Sequence, residues 1–403
     1  KNEGANMEHS LSITVGTSDA QINGRDERAI QAGVDYLAAL GGGTLKILPG
    51  EYHLNNAIYL RSQIQIEGSG ADTVLIKNPS VQTSLAVDSD WYDDHVTLTN
   101  KDGFEIGYGV CLRAKTPHSG GSNVIKRTII GRDGTRVWLD RPLEKNFWAD
   151  HEAHISTLFP ILTGEHIHDV EIRNLILDGN RSNNERLDGN YAGCIFLQNC
   201  ERIQIENVEA RNYNGDGISW QVCHDITVTN CRSLNNVDLG LHPGSGSQRP
   251  IMRNNHLEGN RLGLFFCWGV KHGIAENNRI LNNREFGISI GHRDTDNIIR
   301  SNLIEGSRKI GIYFREEPNE GRCPHRNLVE NNRIVNSGSD GKGTGIGIRG
   351  ETRSIRIQRN QIIETRGPAE YVGVRIGEKT SDVVLEANEF SGLAVDVDDL
   401  RSR

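Results

Sequence analysis

The chain has 403 residues, 36% hydrophobic and 24% charged, which is enough apolar mass for one elongated domain with a continuous core. Its formal net charge of −8 argues against nucleic acid and anionic membrane surfaces as partners, and no apolar run approaches the roughly 20 residues of a membrane span. Forty-five glycines against two methionines favour a turn-rich β architecture, and seven scattered cysteines (Cys111, Cys194, Cys200, Cys223, Cys231, Cys267, Cys323), odd in number and without zinc spacing, read as buried thiols rather than a disulfide framework or metal site.

Residues 1–25 are polar and predict an irregular lead-in. From Asp26 to Leu40 the apolar positions Ala29, Ile30, Ala32, Val34, Leu37 and Ala38 predict an amphipathic helix that Gly41-Gly42-Gly43 ends. Thr44 to Tyr52 then reads as a strand and turn. Residues 80–160 lack any period; Val110–Leu112 and Arg136–Asp140 look like strands of a small inserted β-subdomain. Such insertions in repeat proteins often build one wall of a binding groove.

From residue 163 to about 397 one phrase recurs: Gly, aliphatic, any residue, aliphatic or aromatic. It appears at Gly217, Gly240, Gly263, Gly287, Gly311, Gly345 and Gly373, and subtracting positions gives steps of 23, 23, 24, 24, 34 and 28 residues. A period in the twenties marks a solenoid. Asparagines recur with it: Asn207, Asn230, Asn254, Asn277 and Asn331, with Ser301 on one rung, form one column. Asn255, Asn278, Asn302, Asn332, Asn360 and Asn388 form a second. Asn tolerates left-handed backbone at corners, and stacked Asn side chains can bond one another at the strand spacing of about 4.8 Å. The regular leucines of a leucine-rich horseshoe are missing. The prediction is an all-β, right-handed parallel β-helix with two to three short strands per coil. Counting from the repeat glycine, positions +1 and +3 should point inward and +2 and +4 outward.

ERAIQAGVDYLAALGGGTLKILPGEYHL, residues 27–54, followed by QIQIEGSGADTVL, residues 63–75, resembles the amino-terminal signature of the pectate lyase-like β-helix superfamily. The resemblance implies the β-helix fold, a cap helix and a carbohydrate substrate. It does not select a reaction, since that superfamily includes lyases, hydrolases, epimerases and phage tailspikes. A secreted or periplasmic location goes with it, the signal peptide being absent at Lys1 and taken as removed.

Two constellations could carry chemistry. Asp216 stands at −1, a column otherwise apolar, and Asp238 lies one coil on at −2. Two carboxyls about 5–9 Å apart suit glycoside hydrolysis as acid and base. Asn-x-Asp-Gly with an aspartate one coil later resembles the polygalacturonase-type hydrolases, although that family's paired aspartates and His-Gly coil are Asp238-Leu239 and Leu262-Gly263 here. His242 points outward beside Pro243-Gly244-Ser245-Gly246-Ser247, whose small residues leave room for a ligand. The ordinary alternative is turn-capping aspartates and a surface histidine. In the second constellation, His292 and Glu316 should be neighbours at +5, with Tyr313, Arg315, Glu317, Arg349 and Arg293 around them. That set could neutralise a uronate and abstract its C5 proton. It could equally be a ladder of surface ion pairs. Phe265 and Trp268 would stack on sugar faces. Trp220 at +3 reads as core and His272 as a turn residue. Asp294 and Asp296, with Glu317, are the candidate calcium ligands but lack compact calcium-loop spacing, so no cofactor is expected.

The leading expectation is a glycoside hydrolase using Asp216 and Asp238, assisted by His242. A polysaccharide lyase or uronate epimerase centred on His292, Tyr313, Arg315 and Glu316 comes second, and a non-catalytic adhesion solenoid third. The expected partner is an oligo- or polysaccharide, with monomer and homotrimer both open.

Overall fold

The computed structural model describes residues 11–116, 120–367 and 369–402. Its first strand, Ser12–Gly16, lies inside the expected irregular lead-in; residues 1–10 fall outside the described residues. Ile13 and Val15 pair in parallel with Leu45 and Ile47, because alternating apolar residues here can close the open end of the coil stack. The helix Glu27–Ala39 follows, its first turn capped by Asp26 Oδ1 accepting from Arg28 N at 3.0 Å. Ala29, Ile30, Val34 and Leu37 bury its apolar stripe against the first coil.

Beyond the helix the chain winds into coils of three short strands. A representative coil runs Ile274–Glu276, Arg279–Leu281 and Phe286–Ile290, and each strand pairs in parallel with its counterpart one coil on. Ile288, Ile312, Ile346 and Val374 stack in register inside the coil, as do Ile280, Ile304, Ile334 and Ile362. One face of the solenoid is an eleven-stranded parallel sheet from Ile58–Tyr59 to Val395–Asp399.

Asparagine makes the sharp corners. Asn207, Asn230, Asn254, Asn277, Ser301 and Asn331 all have φ between 51° and 57°. The next column is a buried ladder: Asn278 Oδ1 accepts from Asn255 N and Nδ2, and Asn302 Oδ1 accepts from Asn278 N and Nδ2, all at 2.9–3.0 Å. Each side chain thus satisfies backbone groups that a corner would otherwise leave unpaired. A second ladder, Asn236–Asn260–Asn283, runs along another corner.

Between Lys77 and Leu162 the period is interrupted by a six-stranded antiparallel sheet, with Gly109–Lys115, Ser122–Asp133 and Arg136–Leu139 as its longest strands. It has its own apolar cluster, including Leu112, Ile129, Val137 and Phe147. The seven cysteines are free, and all but Cys267 are buried. Among the described residues no helix is long and apolar enough to cross a membrane.

Candidate functional site

The outer face of the eleven-stranded sheet carries most of the residues that the sequence singles out. Its main outward row reads Thr163, Phe196, Ser219 and His242 in register, and then Phe265, Ser289, Tyr313, Gly347 and Arg375. From Ser219 onward these are the +2 positions. The alternation does not run through the glycine, however. Phe286 pairs with Ile310 and Ile288 with Ile312, skipping the repeat glycine between them. A Cβ on Gly287 would come within 2.5 Å of Ile304 Cγ2 and 2.7 Å of the Gly311 carbonyl oxygen, so the glycine itself turns inward. Position −1 therefore lies outside. Leu241, Leu264, Ile288 and Ile312 belong to the solenoid core, whereas Leu239, Leu262, Phe286 and Ile310 do not, and the Phe286 ring packs 4.7 Å from that of Tyr313. This explains Asp216: its column is apolar but external.

Being external does not leave Asp216 open. It has no exposed surface, and a Cβ on Gly189 would sit 1.7 Å from its Oδ2, so the segment leading into the Ile195 strand seals it. Its Oδ1 accepts from Leu239 N at 3.1 Å, and its Oδ2 meets His242 Nδ1 at 2.8 Å. Ser219 Oγ donates to the Gly189 carbonyl at 2.5 Å and lies 3.3 Å from the same imidazole nitrogen. Burial pushes the Asp216 carboxyl above its ordinary value. Burial alone would lower the imidazole, but the Asp216 carboxylate, with the Cys267 sulfur, outweighs it and holds His242 at about 10. His242 is therefore an imidazolium whose Nδ1–H donates to Asp216, and its buried Nε2 meets no oxygen or nitrogen partner.

The expected ligand space beside His242 is filled. The imidazole is only 3% exposed, and a Cβ on Gly244 would strike the Gln221 side chain. Asp238 is also engaged, accepting from Arg186 Nη2 at 2.8 Å and from Arg261 Nε at 2.6 Å. It belongs to a ladder of alternating charge, Asp238–Arg261–Glu285–Lys309, which continues at 3.1 and 3.0 Å. The signal for that ladder was the alternating sign of those four residues at the edge of the repeat. The two aspartates lie in adjacent coils as expected, but each is committed to a different partner set.

The second constellation is more open. Arg315 reaches back across the row: Nη1 donates to Ser289 Oγ at 2.9 Å, Nη2 to the Phe266 carbonyl at 2.8 Å, and the guanidinium lies 4.4 Å over the Phe265 ring. It is a bracket, and its Nη2 is also 3.5 Å from Asp294. Asp294 is buried, accepts from Val270 N and Gly291 N, and is pushed up by burial to about 7. Asp296 instead pairs with Arg326 at 3.0 Å. The proposed calcium ligands thus diverge, and among the described residues no group of three or more His, Cys, Asp or Glu side chains is placed to hold a metal ion.

His292 meets Glu317, not Glu316, with Nδ1 to Oε2 at 3.5 Å; Glu316 is exposed. The strand ends at Phe314, so strict alternation no longer governs which carboxylate turns inward. The His292 ring stacks 4.4 Å from Trp268 at an interplanar angle of 26°. Trp268 is 56% exposed and has φ 69°, a left-handed conformation that bulky residues rarely adopt and that clusters at functional positions. Arg349 is exposed one coil beyond Arg315, its N bonded to the Phe314 carbonyl. Arg293 is exposed, and its Nε donates to the Gly321 carbonyl at 3.2 Å. Trp220 is core, as its position implies.

The profile of the right-handed β-helix region matches residues 193–362 and 265–396, together just over half of the 403 residues. The chain belongs to the right-handed β-helix family. Among solved structures, this β-helix is similar to two A-modules of mannuronan C-5 epimerases from Azotobacter vinelandii. One has a TM-score of 0.61 at 16% identity, covering 92% of this chain and 91% of that one. The other has a TM-score of 0.59 at 15% identity, covering 95% and 97%. A protein of Geobacillus virus E2 gives 0.52 at 12% identity over 94% of this chain and 62% of that one. At these identities the likeness is one of fold. No curated protein sequence matches the chain significantly.

Proposed function

We propose that this β-helix acts on a uronate-containing polysaccharide by removing the C5 proton, with His292 as the base on the outer face of the eleven-stranded sheet. The observation that carries the reading is the His292–Glu317 contact at 3.5 Å beside the exposed, stacked Trp268 ring. A base needs a partner that orients it and takes up its charge, and Glu317 can do both. Trp268 offers a flat apolar surface for a pyranose ring. Arg349, exposed one coil beyond the Arg315 bracket, can neutralise the uronate carboxylate, which makes the C5 proton more acidic. Tyr313, half-buried in the outward row against Phe286, is the candidate acid. Returning a proton to the opposite face of C5 gives the epimer, and expelling the C4 oxygen gives an unsaturated product. Two neighbours of this fold are named as C-5 epimerases of mannuronan, a uronate polymer.

Hydrolysis through Asp216 and Asp238 is less favoured, because a sealed carboxyl and a doubly paired carboxylate would both have to be freed. The test is to incubate the protein in D2O with polymannuronate, polyguluronate and polygalacturonate, following absorbance near 235 nm and deuterium at C5. His292→Ala should lower either signal about 10²–10⁴-fold, as expected for loss of a general base. Full activity in that variant, or release of reducing sugar with neither signal, would refute the reading. Binding of the polymers with no change in them would favour an adhesion role instead.

A further inference from the structure

The inserted sheet does more than interrupt the coils. Where it lies over the first of them it encloses a cavity of about 460 Å³, within the range of about 300–1,000 Å³ typical of small-molecule sites. The floor is the same outward row that passes His292, here at Tyr59 and Thr163. Thr163 lies five strand spacings from Ser289, roughly 24 Å, and the coils between are covered. Lys126 lies over the Phe196 ring and Gly189 lies over Asp216. The cavity is therefore separate from the site described above.

Its walls are fixed. Asn56 Nδ2 donates to the Gly107 carbonyl and Thr128 Oγ1, both at 3.0 Å, tying the insertion to the first coil. Arg127 is spent on the carbonyls of Pro142 and Leu143. Lys126 differs. Its ammonium donates to the Tyr191 carbonyl and lies 3.9 Å from the Phe196 ring centroid, and burial lowers it to about 8. Arg141 is an exposed guanidinium on the same wall. Among the described residues no carboxylate stands at ion-pair distance from either cation. Glu165 on the same wall acts on the half-buried Lys126 only from beyond ion-pair distance, so a ligand carboxylate in direct contact would supply a charge partner that the ammonium lacks. Tyr59 and Phe159 supply apolar ring surface, and Asp140 and Glu165 supply oxygens that accept from hydroxyls. Two acceptor carboxylates beside two cations suit a ligand with hydroxyl groups as well as an anion, and disfavour a bare anion.

We propose that this cavity is a second ligand site for a single acidic sugar unit, its carboxylate held between Lys126 and Arg141 and its ring against Tyr59 and Phe159. The choice of a uronate as ligand rests on the proposed function, whereas the location does not. The test is calorimetric titration of the whole chain with D-glucuronate, D-galacturonate and D-mannuronate, using acetate and D-glucose as controls. At least one uronate should bind with 1:1 stoichiometry. Its affinity should fall at least tenfold in Arg141→Ala, a surface change that spares the fold, and in Lys126→Met. It should stay unchanged in His292→Ala. The proposal is overturned if none of the three uronates binds, if acetate binds as tightly as they do, or if His292→Ala abolishes binding while Arg141→Ala preserves it. Failure of the C5 chemistry would appear only in the polymer assay, so the two readings fail separately.

Discussion

Replacing Asp216 with Asn tests how the buried pair is held. The imidazole of His242 is held at about 10, against 6.5 for the free side chain, so its raised value stabilises the fold fully below about pH 6.5 and ceases to do so as the pH rises through about 10. At pH 7 the gap is 10 − 7, or 3 units, worth about 4 kcal/mol at roughly 1.4 kcal/mol per unit. The buried carboxylate offsets part of this, because burial raises Asp216 as well. In Asp216→Asn the amide can still accept from Leu239 N, but no anion then faces Nδ1, and His242 becomes neutral. A net loss of about 2–4 kcal/mol is expected at pH 7. With an unfolding entropy of roughly 2.1 cal/mol/K per residue over 403 residues, that lowers Tm by about 2–5 °C. Thermal unfolding followed by circular dichroism from pH 6 to 10 measures it. Lys77 and Lys126, lowered by burial to about 7 and about 8, titrate in both proteins, so the readout is the difference between them: the advantage of wild type should be full near pH 6 and close as the pH approaches 10. Equal melting temperatures at pH 7, or parallel slopes to pH 10, would show that His242 carries no charge of this kind.

Other perturbations address the solenoid itself. Asn302→Ala removes the acceptor for Asn278 N and Nδ2 and the donor to the Ala275 carbonyl, leaving buried groups unpaired. Urea unfolding should show a loss of about 3 kcal/mol, with faster amide exchange at Asn278; an unchanged midpoint would mean that the ladder is ornamental. Gly287→Ala drives a methyl group to 2.5 Å from Ile304 Cγ2 and should cost about 1–3 kcal/mol in the same measurement. A neutral result would show that the coils can separate enough to admit a side chain. His292→Ala, by contrast, should cost only about 1 kcal/mol in unfolding while removing the C5 activity, because the ring, 13% exposed, stacks on Trp268 outside the solenoid core.

Much of this was legible in the chain of residues. Glycines every two dozen positions and two asparagine columns define the coil, its corners and its inward rows, because a parallel stack forces residues one period apart into register. The helix from Asp26 and the interruption after Lys77 also follow from local pattern. Tertiary structure decided the rest, because the site depends on what covers the outer row, and covering elements carry no period. Gly189 seals Asp216, Arg186 joins Arg261 on Asp238, and Gln221 occupies the space beside His242, each brought in from another coil or from a connection between coils. The inward turn of the repeat glycine was invisible too: it depends on an isoleucine across the coil and a carbonyl in the next one, contacts that a one-dimensional alternation cannot represent.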